Sequence, residues 1–352
     1  MVRLLAKVRR REEMAEKQGT SGFANNPIIK AIGAQRLVVI LVIITLAMFF
    51  SVMSEPFRKY ATVVSIFDYS YYVSFAAIGV TFALVTGGVD LSIGTGMVCY
   101  GLVGGYLVVN RGMPVGVGIA VAIGMGAIMG LINGSLVARM ELPPFIATLC
   151  TMMVTRGLGS ILCNGMSVAW PSSSSEQGWF RGIFKYGANF KNSENVTMIP
   201  VGFILVIIFA IIMSLFLNKS KPGRYIIAIG SNKEATRLSG INVVKYQTLA
   251  YVISGISTGI AGVAYAAIFQ AIAPGTGAGF ELDAIGGAII GGTSMTGGYG
   301  TIFGTLLGVF VMSLLKTGLP YIGLQANWQQ IITGIVLLVA VMIDVLKNAK
   351  SN

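Results

Sequence analysis

The chain has 352 residues, of which 55% are hydrophobic and only 11% charged, where soluble domains carry about a quarter charged residues; an ordinary water-soluble globule is excluded. Histidine is absent, which removes histidine-based general-base catalysis and histidine–metal sites. The formal net charge is +12, but the basic residues sit in short segments flanking apolar runs, the pattern of membrane orientation and not of a nucleic-acid surface.

Residues 1–36 form a polar, basic tail with eight Lys/Arg against three Glu, read as a cytoplasmic tail; it is no signal peptide, because no small-residue cleavage pattern follows the first apolar run, Leu37–Met53. Ten candidate membrane segments follow: 37–53, 63–86, 97–109, 115–138, 143–163, 199–217, 246–273, 284–297, 299–318 and 330–346. Their apolar character is continuous and not alternating, so the fold class expected is an all-α, polytopic helical membrane protein and not a β-barrel. Glycine at 46 residues suits helices that approach closely in lipid, where hydrophobicity cannot drive association. Cys99, Cys150 and Cys163 lie in or at the ends of apolar runs and read as small buried hydrophobes.

Ten passes place both termini on one side. With that side cytoplasmic, seventeen of the 25 basic residues fall in the inner segments, including Arg139 and Lys347 with Lys350. Six fall outside, and Arg156 and Lys316 fall within spans. Two connections are long. Residues 164–198 are the external loop, with Trp170, a Ser run and the aromatic stretch 179–190. Residues 218–245 are the cytoplasmic loop, where Ser231 or Asn232 is placed to cap a short helix and Gly240 to end it. A single transmembrane domain is expected over 37–346, and a short cytoplasmic tail over 347–352. Pro143-Pro144 marks a helix start.

Five segments precede the external loop and five follow it. Each half holds a short Gly-interrupted stretch, one around Asp90 and Ser92, the other around Glu281 and Asp283. Paired broken segments in corresponding halves often mark a transport pathway, and ionisable groups in spans are functional candidates. Asp90 and Asp283 read either as caps of broken helices, whose N-terminal N–H groups favour a carboxylate, or as groups facing a solute. Arg156 is placed to pair with one of these carboxylates or to snorkel; Lys316 is expected to snorkel outward. There is no Gly-Lys dipeptide, so no phosphate-binding GxxxxGK[ST] loop, and no GxSxG elbow. A catalytic role is not expected, and no cofactor is implied.

Four stretches in order, GGVDLSIG (87–94), LPPFIATL (142–149), GRYIIAIGSNKEATRLSGINV (223–243) and DAIGGAIIGGTSMTGGYGTIFGTLLG (283–308), resemble the permease subunits of bacterial ABC importers for simple sugars, of ribose/xylose/galactose type. The resemblance covers about residues 37–346. Such permeases share a Glu-Ala-Ala-x-x-x-Gly loop motif, matched here at Glu234, Ala235 and Gly240, with Thr236 for the second Ala and Arg237 inside the motif; the usual downstream Ile-x-Leu-Pro is absent. The resemblance implies a multi-pass subunit of the bacterial inner membrane, a loop helix that docks in an ABC ATPase subunit, an extracytoplasmic sugar-binding protein, and a second permease copy or paralogue. A permease for branched-chain amino acids or nucleosides is the alternative, followed by an ion-coupled secondary transporter.

Overall fold

The computed structural model describes residues 34–184 and 201–349; most of the 1–36 tail, the end of the 164–198 loop and residues 350–352 lie outside the described residues. The helices are α1 (Ala34–Met53), α2 (Tyr60–Val85), α3 (Ile93–Arg111), α4 (Val115–Ala138), α5 (Pro144–Leu162), α6 (Trp179–Phe184), α7 (Val201–Lys219), α8 (Lys221–Ser231), α9 (Lys233–Leu238), α10 (Val243–Phe269), α11 (Phe280–Ile290), α12 (Ile302–Tyr321) and α13 (Ala326–Ala349). Local chemistry sets their ends. Gly112 takes the left-handed conformation (φ 65) after α3, and Pro144 opens α5 at a position where its missing N–H costs nothing. Asn242 caps α10 and Thr301 caps α12 through side-chain oxygens.

Nine of the described helices are long and apolar enough to cross a membrane. Two expected segments differ from the sequence reading. The stretch around 97–109 is part of a full 19-residue helix, because Gly94 and Gly96, which depress hydropathy, are helical packing positions. The stretch 284–297 is no span: α11 has 11 residues, a length of about 16 Å, and Gly292 with φ 95 stops it. The turn 273–279 descends from the outer face, α11 continues inward, and residues 297–298 reach the end of α2. Loop and half-helix together make the tenth pass, so α1 begins and α13 ends on one face. We call this the inner face, from its basic excess.

The centre of the bundle is α2, α3, α10 and α12, while α1 and α13 have few buried residues and lie around it. The two halves repeat in inverted sense. The helix after the first broken segment, α3, packs with α4 and α5, and the helix after the second, α11, packs with α12 and α13. The most extensive helix contact is α4 on α10: a Cβ on Gly126 would lie 2.1 Å from the Gly255 carbonyl, and one on Gly255 would lie 2.0 Å from that of Gly126. Only glycine permits backbones this close, and in lipid such contact replaces the hydrophobic drive. On the outer face Val168–Ala169 (β1) pairs antiparallel with Ala271–Ile272 (β2). Trp170 of the external loop is buried and donates Nε1–H to the Gly101 carbonyl at 3.0 Å. Cys99 and Cys163 are buried, but Cys150 is exposed on α5, contrary to the sequence reading.

Candidate functional site

The first broken segment begins where α2 stops at Val85. Gly87 turns the chain with φ 79, and Asp90 is 1% exposed inside the bundle. An unpaired carboxylate there would be costly. Asp90 Oδ1 accepts from the Ser92 N–H at 3.0 Å and the Ser92 hydroxyl at 2.6 Å, with the Asn133 amide of α4 at 3.4 Å. Oδ2 accepts from the Ser254 hydroxyl of α10 at 2.8 Å. Asn133 also donates to Ser92 Oγ at 2.8 Å and accepts from Thr151 of α5 at 2.7 Å. Ser92 stands at the N-terminal boundary of α3 without capping it through its side chain, and the Asp90 carboxylate accepts its N–H near the positive end of that helix. Asp90 thus ties α3, α4, α5 and α10 at one depth.

The second broken segment enters α11 through Gly279 (φ 98). Glu281 folds back so that its carboxylate accepts the Gly279 N–H at 3.1 Å. Asp283 is fully buried; its Oδ2 accepts from the Tyr69 hydroxyl of α2 at 2.5 Å. Its Oδ1 pairs with Lys316 Nζ at 3.4 Å. Lys316 therefore turns inward to a partner and does not snorkel outward, because the pair and Tyr69 together offset the burial of Asp283. A cage of rings packs beside it: Tyr72 meets Tyr265, Phe269 and Phe280 edge-on at centroid distances of 5.2–5.9 Å, and Tyr265 meets Phe269 at 4.7 Å with tilted planes. Arg156 is exposed on α5 and makes no ion pair with a described carboxylate.

The two broken segments, 187 residues apart between Gly94 and Glu281, touch. A Cβ on Gly94 would lie 2.1 Å from Glu281 Oε2 and 2.7 Å from the Gly277 carbonyl. They meet again at the inner face: Gly298 N–H donates to the Val85 carbonyl at 2.9 Å, and Gly297 lies against both Gly87 and Gly230 of α8.

The inner loop is therefore seated on this junction. Ser220 caps α8 through the Gly223 N–H at 3.0 Å. Asn232, and not Ser231, caps α9, its Oδ1 accepting the Ala235 N–H at 2.9 Å. Gly240 ends it with φ 78. Thr236 is buried against the protein, while Glu234 and Arg237 pair at 2.6 Å with side chains 62% and 68% exposed, and Leu238 is 79% exposed. A groove runs beside them, lined by Lys233, Glu234, Arg237, Glu141, Pro143 and Gln247.

Sequence reasoning found Asp90, Ser92, Glu281 and Asp283 but missed Asn133, Ser254 and Tyr69, which hold them. Asn133 carried a signal, as a lone amide in the apolar run 115–138. The serine and tyrosine carried none that sets them apart from other hydroxyls in spans.

Residues 62–341 match the family described as branched-chain amino acid transport system / permease component. The ribose import permease RbsC of Escherichia coli K12 is 35% identical over 277 residues, covering 76% of this chain and 80% of that protein. The fructose import permease FruG of Bifidobacterium longum is 33% identical, covering 78% and 79%. The galactose/methyl galactoside import permease MglC of Salmonella typhimurium is 32% identical, covering 78% and 83%. No solved structure matches the chain. With its ten passes, paired broken segments and a match over most of its length, the chain belongs to the family of permease components of import systems.

Proposed function

We propose that the chain is the membrane-spanning permease of an ATP-binding-cassette importer that moves a simple sugar across the bacterial cytoplasmic membrane. The chain does no covalent chemistry in this reading. A separate ATPase subunit hydrolyses ATP, an extracytoplasmic binding protein delivers the sugar to the outer face near 164–184 and 273–279, and a second permease copy or paralogue completes the pathway. Three relatives bear the names of ribose, fructose and galactose import permeases, which supports a sugar over a branched-chain amino acid.

The observation that carries the reading is the placement of α9. It is a side-chain-capped helix that presents Glu234, Arg237 and Leu238 to solvent while its neighbour α8 rests on the junction of both broken segments. An ATPase groove that grips α9 pushes, through Gly230, on Gly297 and Gly298 and so on the irregular segments that join α2 to Asp90 and α11 to α12. Ala235 lies exposed on the same helix, and Gly240 supplies the positive φ that lets the chain leave it. Asp90 and Ser92 hold the first break closed; Glu281 and Asp283 hold the second. Alternating access then needs two arrangements of these breaks and a ligand that binds one better.

The test is purification in mild detergent with native partners, for wild type and for Glu234→Ala and Gly240→Pro. An ATPase subunit that accompanies the wild type and is lost from the variants supports the reading. Transport in proteoliposomes driven by a proton or sodium gradient alone, with no ATPase, refutes it, and Asp90 and Asp283 then become candidate ion ligands.

A further inference from the structure

Arg156 is the one basic residue exposed in the interior of a described span without an ion-pair partner. It is the thirteenth residue of α5, about 18 Å from the inner end of that helix and about 9 Å from its outer end. A guanidinium facing acyl chains at that depth is costly, and such residues face a bundle interior or a water-filled path. The surroundings point to the second. Arg156 lines a crevice with Thr95 of α3, Thr155 of α5, and Pro274, Gly275 and Gly277 of the turn before α11. The crevice leaves about 10 Å³ of open volume, room for about one water. Val98, Cys99 and Leu102 of α3 form an apolar wall, and polar groups form the rest. Thr95 and Thr155 share a hydroxyl contact at 2.9 Å. The turn offers backbone groups, and Gly275 (φ 85) has open space where a side chain would stand. Gly277 packs on Gly94, so the floor of the crevice is the contact between the two broken segments. A guanidinium is a planar fork of donors that grips two neighbouring oxygens at once.

We propose that Arg156 is a sugar-positioning residue: it holds two adjacent hydroxyls of the passing sugar in the crevice between α3, α5 and the 273–279 turn. This rests on the sugar-import reading above. The crevice in the present arrangement is narrow, so the sugar enters it when the 273–279 turn withdraws from Gly94. The hydroxyls then exchange water for the Arg156 fork and the threonines, and neither a charge on the substrate nor a proton transfer is needed.

The purified complex in proteoliposomes tests this with D-ribose, D-fructose and D-galactose as probes. Arg156→Leu is expected to lower the sugar moved per ATP hydrolysed about ten-fold or more, the scale of a lost charge-assisted hydrogen bond, with assembly and ATP hydrolysis retained. Arg156→Lys is expected to restore part of it. A second arm replaces the three native cysteines by alanine and introduces Arg156→Cys or, as a lipid-facing control, Val154→Cys. A cationic water-soluble thiosulfonate is expected to label position 156 much faster than 154, and the transported sugar is expected to slow it. Labelling of both positions at one rate overturns the inference, as does labelling of 156 that sugar does not slow, or Arg156→Leu transport equal to wild type. If the wild-type complex moves none of the sugars while 156 still labels fast, the sugar reading is what fails, and sugar positioning falls with it.

Discussion

Gly126→Ala adds one methyl group where α4 crosses α10, and the structure fixes what that group meets. It would lie 2.1 Å from the Gly255 carbonyl oxygen, 2.9 Å from its carbon and 3.2 Å from the Gly259 nitrogen. All three are backbone atoms, so no side chain can swing away. Ordinary contact begins at 3.4 Å, and the helices must separate by 3.4 − 2.1, or 1.3 Å, at this point. Gly130 and Gly134 lie on the same face, 2.4 Å and 2.7 Å by the same measure from Tyr251 and Thr248 of α10, so the separation opens their contacts too. A radial gap of that size forfeits half or more of the dispersion attraction between the atoms involved. The expected cost is about 1–3 kcal/mol. Gly124→Ala is the internal control: it lies on the same helix with nothing within 4 Å of its Cβ position, and it is expected to be neutral or slightly stabilising, because alanine is the better helix former. Equilibrium denaturation in mixed micelles with rising sodium dodecyl sulfate, followed by far-ultraviolet circular dichroism, reads both differences. Equal stability of the two variants would refute close backbone approach as the bond between α4 and α10.

Other substitutions probe the polar joints. Ser254→Ala leaves Asp90 Oδ2 without the donor it has in α10 and is expected to cost about 1–3 kcal/mol in the same denaturation assay; Ser254→Thr, which keeps a hydroxyl, is expected to cost less. Lys316→Met leaves the buried Asp283 without its cation, at an expected cost of about 3–5 kcal/mol; adding Asp283→Asn is expected to recover much of this, and a double variant no more stable than the single one would count against the pair. Asn232→Ala removes the cap of a helix only six residues long, about 1 kcal/mol, and is expected to weaken retention of the ATPase subunit on an affinity column, while Asn232→Asp, which keeps the acceptor, retains it.

Much of the fold was legible because bilayer thickness imposes its own ruler. The run 115–138 matches α4 to the residue, since Pro114 and Arg139 bound an uninterrupted apolar stretch. The reading failed where glycine has two meanings. In α3, glycines are packing positions within a helix; after α11, Gly291 and Gly292 end one. Composition cannot separate these cases, because the second depends on positive φ at Gly292, Gly297 and Gly298 and on contact with Gly87 and Gly230, which lie far away in sequence. The carboxylates of the site were legible by their rarity in apolar surroundings. Their partners were not: the Tyr69–Asp283 bond joins residues 214 positions apart, and neither periodicity nor spacing brings them together. The inward turn of Lys316 follows from that same distant arrangement, so a residue near the outer end of a helix was read as facing out.

The division of the Asp90 carboxylate between the two halves bears on how the chain is made. One oxygen is served by Ser92 and Asn133, which leave the ribosome soon after it. The other waits for Ser254, 164 residues downstream. During synthesis the first five passes therefore enter the bilayer holding a carboxylate oxygen whose hydroxyl donor arrives only with α10. Severing the chain within the outer loop should give an N-terminal piece that inserts but resists degradation poorly, and that becomes protease-resistant when the C-terminal piece is synthesised beside it. The inverted halves are in this sense not two domains that dock but one fold whose last hydrogen bond closes the first break.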